Sequence, residues 1–582
     1  MNALFTDKIN LFFDCTVQHC TCGKQLKKYK TKTRRITGLL TGECNAHITQ
    51  LHCGTCKRIY DPEELGKLVP KHSRFSFDVI VYVGTALFVH HCNDEQIQKS
   101  LKEKNISISL REIAYLGRKF IVYLASAHRA SQEDIRKHIK TKGGYILHLD
   151  GTCEGDSPHL FSFIDELSSI VLDNVKLPSE NARQIMSPLE EIKKAYGTPL
   201  AVVHDMSAAI INAVESVFPG VRDFICHLHF LRDLGKDLFS TEYNSIRRLL
   251  KTAKTRASLR KLAREFKNYI EQDEKLKICL ERSMGKDFFD NCLGSLMPPV
   301  ALYLLISWVL ESKNKSHGYG FPFDRPQVDF CDRLQHAYPM MISLKIEMPG
   351  GVPKIRLAKL GRTLNDISLK NSLSLIKEKI SVFDELRDIM RIVPADGQNG
   401  LNDNGEDAEI KTIEAGVKQF RKSEKITNLA KINLRFKNMV KQVDKYWNKL
   451  FADPIEIKTE IGTVMIQPQR TNNMLEQFFR KIKSGCRKKS GTSSLSKTLK
   501  AMMANTPLVK NLSIPKYVEI ILNGKKNLEE RFAEIDSASV RDALKKEDEA
   551  SRKYPKGMAK IFRIVDFPSK IERIVTNKSN GG

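Results

Sequence analysis

The chain lacks any apolar run long enough to cross a bilayer. Its longest runs, Val79–Val89 and Pro299–Leu310, fall short of the roughly 20 residues that a span requires. The opening MNALFTDKIN has no basic stretch followed by an apolar core, so it does not read as a secretory signal. No Lys/Arg-rich amphipathic helix with a bulky apolar face is present, which argues against a membrane-surface protein. The sequence shows no internal repeats. Acid is scarce relative to base. Against 95 Lys and Arg stand 68 Asp and Glu, a formal charge of +27 and a pI near 9.4. Such an excess repels itself unless a polyanion neutralises it, so nucleic acid is the leading partner.

What is present supports several domains. A chain of 582 residues with 41% apolar content can bury more than one core. Six of the 13 cysteines lie in the first 56 residues. Clustering of that kind in an intracellular chain points to metal rather than disulfides. Cys53-Gly-Thr-Cys56 is a regular CxxC knuckle followed by Tyr60. Its partner, His19-Cys20-Thr21-Cys22-Gly23, reads as either HxxC or CxC. Residues 1–70 are therefore expected to form a zinc-ribbon-like domain around structural Zn²⁺, held by Cys22, Cys53, Cys56 and either Cys20 or His19. Between the knuckles, Lys24 to Gly42 carries seven basic residues and no acid.

Residues 71–141 read as a helical, helix-turn-helix-like domain. Asp94–Leu101 leads through Asn105 to Ser109–Phe120, and Ser109 with Glu112 makes a capping box. At 143 the hydrophobic period changes. Tyr145–Asp150, His159–Ile164 and Ser169–Leu177 are expected as strands and Ala182–Tyr196 as a helix. Leu200–Asp205 follows as a strand, Ser207–Phe218 as a helix, and Asp223–His229 as a fifth strand leading into helix Phe230–Phe239. Three strands, then helices and strands alternating, imply a mixed sheet covered by helices.

Residues 241–458 are expected to be an all-α insertion with a mobile loop near 395–408, and 459–513 to resume the core. A charged helical tail occupies 514–582. Trp308, among apolar neighbours, reads as core packing rather than a base-stacking side chain. In 459–513, Glu476 opens a predicted helix with no further acid before residue 517, and eight Lys or Arg fall between 480 and 500. Glu476, Arg480 and Lys483 stand at i, i+4 and i+7, so one acid shares a face with two cations. A lone acid on a basic helix suits a site where metal meets polyanion.

Asp150 and Asp205 each follow an apolar strand, at the sheet edge where ligands commonly sit. With Glu476 they make three hard carboxylate donors, enough to hold two Mg²⁺ for displacement at phosphorus. The order strand-Asp, strand-Asp, long helical insertion, helix-Glu resembles the DDE transposases with a ribonuclease-H-like core, in particular the bacterial and archaeal insertion-sequence and Mutator-like groups. Cys226-His-Leu-His229 resembles the C-x-x-H pair of those families, and Thr471-Asn472-Asn473 their Asn-rich lead into the Glu helix. The resemblance covers roughly residues 15–500. It implies a multidomain α/β protein with Asp150, Asp205 and Glu476 as catalytic residues binding two Mg²⁺ (or Mn²⁺) ions. It further implies Arg480, Lys483, Arg487 and His229 as DNA contacts, with Cys226 and His229 alternatively positioning the core against the insertion. The implied activity is cutting of element ends and joining to target double-stranded DNA by a homo-oligomer, nucleoid-associated in a prokaryotic cytoplasm. Two other functions fit part of the pattern. One is a domesticated DNA-binding regulator; the other is a metal-dependent nuclease without strand transfer.

Overall fold

The computed structural model describes residues 9–571 except 285–296, 313–317, 345–351, 394–409, 452, 460–461, 492–493, 551–560, 562–563 and 565. The predicted loop at 395–408 lies outside the described residues. The six segments expected from composition fall into two compact units. One comprises residues 1–222, 457–464 and 472–582, the other 223–456 and 465–471.

The first unit begins with a sheet of β1 (Ile9–Phe13), β2 (Lys27–Gly38), β3 (Gly42–His52) and the short β4 (Ile59–Tyr60). β3 lies between β1 and β2, parallel to β1 and antiparallel to β2. Alternation along β3 buries Cys44, Ala46 and Ile48 against Ile36 of β2 and Leu65 of α1 (Glu63–Leu68). The other face of the sheet carries polar and aromatic side chains.

Four helices follow: α2 (Phe77–Phe88), α3 (Asp94–Glu103), α4 (Leu110–Ala130) and α5 (Gln132–Thr141). The expected capping box forms. Ser109 Oγ accepts from the Glu112 amide at 3.2 Å, and Glu112 Oε2 accepts from the Ser109 amide at 2.9 Å. α4 exposes Leu110, Arg111, Ala114 and Tyr115 in its first turns, then sinks into the core from Leu116 onward. The chain leaves α5 through Gly143 at φ +85°, where a Cβ would stand 2.0 Å from Ile457 Cγ2. Only glycine fits that turn.

The central sheet then forms from β5 (Ile146–Thr152), β6 (His159–Asp165), β7 (Val171–Leu177) and β8 (Ala201–His204). Within this unit their order is β7-β6-β5-β8, with β6 antiparallel to both β5 and β7, and β8 parallel to β5. Helices α6 (Ala182–Tyr196) and α7 (Ala208–Val217) complete the crossovers. One apolar core runs from Phe75 through the sheet to Leu544. The segment after 514 is helical, as expected, but it is no tail: Tyr517, Ile521, Phe532 and Val540 are buried in that core. The His128 ring ties these parts together. Its Nδ1 lies 3.0 Å from the Tyr517 hydroxyl and its Nε2 3.0 Å from the Leu172 carbonyl.

The second unit is helical, as expected for 241–458. The expected fifth strand stops earlier than the sequence pattern suggests. β9 covers Arg222–Ile225, and α8 runs from His227 to Thr252. The switch occurs because the His227 amide donates to the Arg470 carbonyl at 2.8 Å, while the Phe230 amide turns back to Cys226 at 2.9 Å. Trp308, on helix Pro298–Glu311, departs from the core-packing expectation. It is 44% exposed and packs its ring near His336 at 6.1 Å. The surrounding apolar run misleads because the helix has one buried side, occupied by Val300, Leu302, Ile306 and Val309.

Candidate functional site

β5 and β8 run parallel with His148 opposite Val203. Asp150 and Asp205 therefore each stand two residues beyond the same matched pair. Neighbouring strands lie about 4.8 Å apart and side chains two residues apart share a face, so the register alone makes the two carboxylates neighbours. Contrary to the expectation from the apolar run, Asp150 does not end its strand. β5 continues to Thr152, pairing Asp150 with Ser162 of β6, and Asp150 is terminal only with respect to β8. Its Oδ1 accepts from the Gly151 amide at 2.7 Å, and Asp205 Oδ1 accepts from the Ser207 amide at 2.9 Å, just ahead of α7.

The third acid arrives on the helix Asn473–Ser490. The buried Asn472 fixes where that helix starts. Its side-chain amide donates to the Leu149 carbonyl at 3.1 Å, and its Oδ1 lies 2.9 Å from His148 Nδ1. The other nitrogen of His148 meets Glu166 at 2.9 Å. One turn along, the Glu476 amide donates to the Asn472 carbonyl at 3.0 Å. The start of the helix is thus tied to the strand bearing Asp150.

Electrostatics report the convergence. The Asp150 carboxyl, 8% exposed, is held well above the usual carboxylate range. Burial is the main cause, followed by the negative charge of Asp205; Glu476 and then Glu180 push in the same direction, against the Gly151 amide. Glu180, on the loop after β7, is a fourth acid that sequence reasoning missed, because nothing in its local pattern marks it. Asp165 is an instructive contrast. It is also a buried strand acid, yet it caps a turn, accepting from the amides of Ile146, Leu167 and Ser168.

Hard oxygen donors that repel one another fit divalent cations, which remove the repulsion. Even so, among the described residues only the four cysteines make a group of three or more metal-ligand atoms lying within 4.8 Å of one another. The three carboxylates interact through space without closing that tightly.

Past Glu476, the helix divides into two faces. Leu475 and Phe478 are buried, while Arg480, Lys483 and Arg487 are exposed. The cations named from the sequence are therefore free to meet solvent or a polyanion.

The N-terminal cysteines resolve the ambiguity of the first knuckle. Cys20, Cys22, Cys53 and Cys56 form one group that could hold a structural metal such as zinc. Cys20 and Cys56 Sγ lie 3.4 Å apart, and Cys22 and Cys53 Sγ 3.5 Å. The knuckle is CxC. His19 is not a member: it is exposed and bridges Gln25. Two backbone turns build the site, Gly23 N to Cys20 O at 2.8 Å and Lys57 N to Cys53 O at 3.0 Å. The Tyr60 hydroxyl donates to Cys20 Sγ at 3.2 Å. This bond is the leading cause of a Cys20 pKa lowered to about 5. Four thiolates match the tetrahedral preference of Zn²⁺.

The Cys226–His229 motif lies in the second unit at a strand-to-helix junction. Cys226 is buried. His227 holds the Leu450 carbonyl at 2.8 Å and faces Arg470 at 3.1 Å. Burial, with Arg232 nearby, lowers His229 to a pKa of about 4. A ring that is neutral near pH 7 brings no cation to a phosphate.

No family model matches the chain, and no curated protein matches it.

Proposed function

We propose that this chain is a DDE-type DNA transposase, with a ribonuclease-H-like core and Asp150, Asp205 and Glu476 as its catalytic carboxylates. The observation that carries this reading is the β5–β8 register, which sets Asp150 and Asp205 at the same level of the sheet, with burial and the charges of Asp205 and Glu476 raising the Asp150 carboxyl. Three acids from distant segments feel one another's charge, and Asp150 among them is buried. Gathering like charges in this way costs stability unless the site has a use for them. Those carboxylates are the groups that would hold two Mg²⁺ or Mn²⁺ ions, whose positive charge would stabilise the oxygens of a phosphoryl group under attack.

The chain's own residues supply positioning. His148 and Asn472 fix the start of the Glu476 helix against β5. Arg480, Lys483 and Arg487 present cations along the same helix, where a DNA backbone can be held by phosphate contacts. The exposed first turns of α4, with Arg111 and Tyr115, suit insertion into a major groove in the manner of a helix-turn-helix. The cysteine group stabilises an N-terminal module that bears a strongly basic strand. Together they favour duplex DNA as substrate, both at element ends and at a target. A homo-oligomer would bring two ends together.

Cleavage of duplex DNA spanning the borders of this gene tests the reading. The expected result is Mg²⁺-dependent cutting by the native chain and loss of at least about a thousandfold in Asp205→Asn, with DNA binding retained. Equal cutting by Asp205→Asn would remove that residue from the site. A metal-dependent nuclease without strand transfer remains the second reading, since the same carboxylates serve hydrolysis.

A further inference from the structure

One face of the N-terminal sheet packs against α1, and the other is open. The open face carries a specific arrangement of rings. Phe12 of β1 stacks on His47 of β3 with centroids 4.8 Å apart and planes 15° apart. The His47 ring is held at both nitrogens, Nδ1 lying 3.0 Å from Thr33 Oγ1 and Nε2 3.1 Å from Asn10 Oδ1. Asn10 is fixed in turn by the Asn45 amide at 3.3 Å. Phe12 is nonetheless 74% exposed. A ring clamped on one side and open on the other is a preformed stacking surface with little left to order on binding.

The surroundings say what would stack there. The neighbouring strand β2 carries Lys27, Lys28, Lys30, Lys32, Arg34 and Arg35 within Lys27–Gly38 and no acid. Strand pairing sets Arg35 opposite Asn45 and Lys28 opposite Leu51, on the same face as His47 and Phe12, whereas Lys32 and Arg34 pair with the buried Ile48 and Ala46 and lie on the other face. A flat aromatic ring with cations on the same face complements a nucleobase attached to phosphodiesters. The bases of an intact duplex are stacked inward and cannot lie on Phe12. An unpaired one can.

We infer that the open face of the N-terminal sheet is a stacking platform for an unpaired nucleobase, which lies on the Phe12–His47 pair while its backbone is held by Arg35 and Lys28 of β2. The inference rests on the nucleic-acid reading of the chain but not on its catalysis. It assigns the N-terminal module a preference for single-stranded or frayed DNA, beyond holding a duplex.

The full-length chain, zinc-loaded and without Mg²⁺, should be titrated into an oligothymidylate of about 12 nucleotides carrying one central 2-aminopurine. Stacking on an aromatic ring quenches that base. The native chain should quench it. Phe12→Leu, which keeps apolar bulk but removes the ring, should bind the strand about tenfold more weakly and leave the base bright. Phe12→Trp should restore both binding and quenching. Affinity for a duplex of the same length should be unchanged in all three proteins. Equal quenching by Phe12→Leu would overturn the inference, and so would parallel losses on duplex and single strand. Because no cleavage is read, failure of the transposase reading leaves these outcomes unaffected, and the converse also holds.

Discussion

His148 Nδ1 lies 2.9 Å from Asn472 Oδ1, joining residues 324 positions apart in the chain. Both side chains are buried, and Asn472 also donates to the Leu149 carbonyl. The contact fixes the distance between strand β5, which carries Asp150, and the helix that carries Glu476.

Asn472→Ala should therefore damage more than stability. It removes the Asn472 partner of the His148 ring nitrogen, leaving that buried group unpaired at about 1–3 kcal/mol, and removes the Asn472 donor to the Leu149 carbonyl. It also frees the helix start. A displacement of about 1 Å in a catalytic group can cost on the order of a hundredfold in rate. Cleavage should fall by about that factor while DNA affinity measured without Mg²⁺ stays constant. Loss of stability with unchanged cleavage per folded molecule would show that the contact is structural only.

The raised Asp150 carboxyl gives a pH dependence of definite sign. A cation binds the ionised form, so loading the site must release the proton that burial and the neighbouring charges retain. Mn²⁺ affinity should rise with pH above the usual carboxylate range, with proton uptake by buffer visible in calorimetry. In the metal-free chain the sign reverses. A folded-state pKa above the unfolded value means stability present at low pH and lost as pH rises through it. Asp150→Asn should abolish that loss, and its metal-free melting temperature should exceed that of the native chain at alkaline pH. A pH-independent Mn²⁺ affinity would contradict the picture.

The cysteine group should hold about one tightly bound Zn²⁺ per chain. Cys22→Ser and Cys53→Ser should lose it and unfold the N-terminal sheet, because structural zinc supplies about 10–16 kcal/mol in small modules. His19→Ala should keep it, since that ring stands outside the group. Metal analysis of the three variants decides the ligand set.

The exposed cations of the Glu476 helix should be visible in salt dependence. Each phosphate contact removed lowers the slope of log affinity against log salt by roughly 0.9 on duplex DNA. Replacing Arg480 and Lys483 with Gln should lower it by about 1.8 and slow cutting, with end-sequence preference unchanged. An unaltered slope would place the backbone elsewhere.

Much of this architecture was legible in the sequence where local pattern decides. The α4 capping box and helix α6 at Ala182–Tyr196 were readable because caps and apolar period act over a few residues. For the same reason the pattern names three cysteines of the metal group outright and leaves the fourth open between two neighbours, since only the turn at Gly23 chooses Cys20 over His19. Other features depend on distant partners. Cys226–His229 looked like strand until the Arg470 carbonyl fixed the helix start. Residues 514–550 looked like a charged tail until Tyr517 and Phe532 met the core. His148, Glu166 and Glu180 carried no signal, since their importance comes from residues far away in the chain.

Asp150, Asp205 and Glu476 are proposed to form one site for phosphoryl transfer on DNA. Strand transfer measures it most directly. A pre-cut duplex ending at the border of this gene, with a free 3′-hydroxyl, is incubated with supercoiled plasmid and Mg²⁺. The native chain should join the two, whereas Asp150→Asn, Asp205→Asn and Glu476→Gln should bind both DNAs and join neither. Joining at native rates by any of the three variants would contradict the account, as would hydrolysis of the plasmid by the native chain without joining.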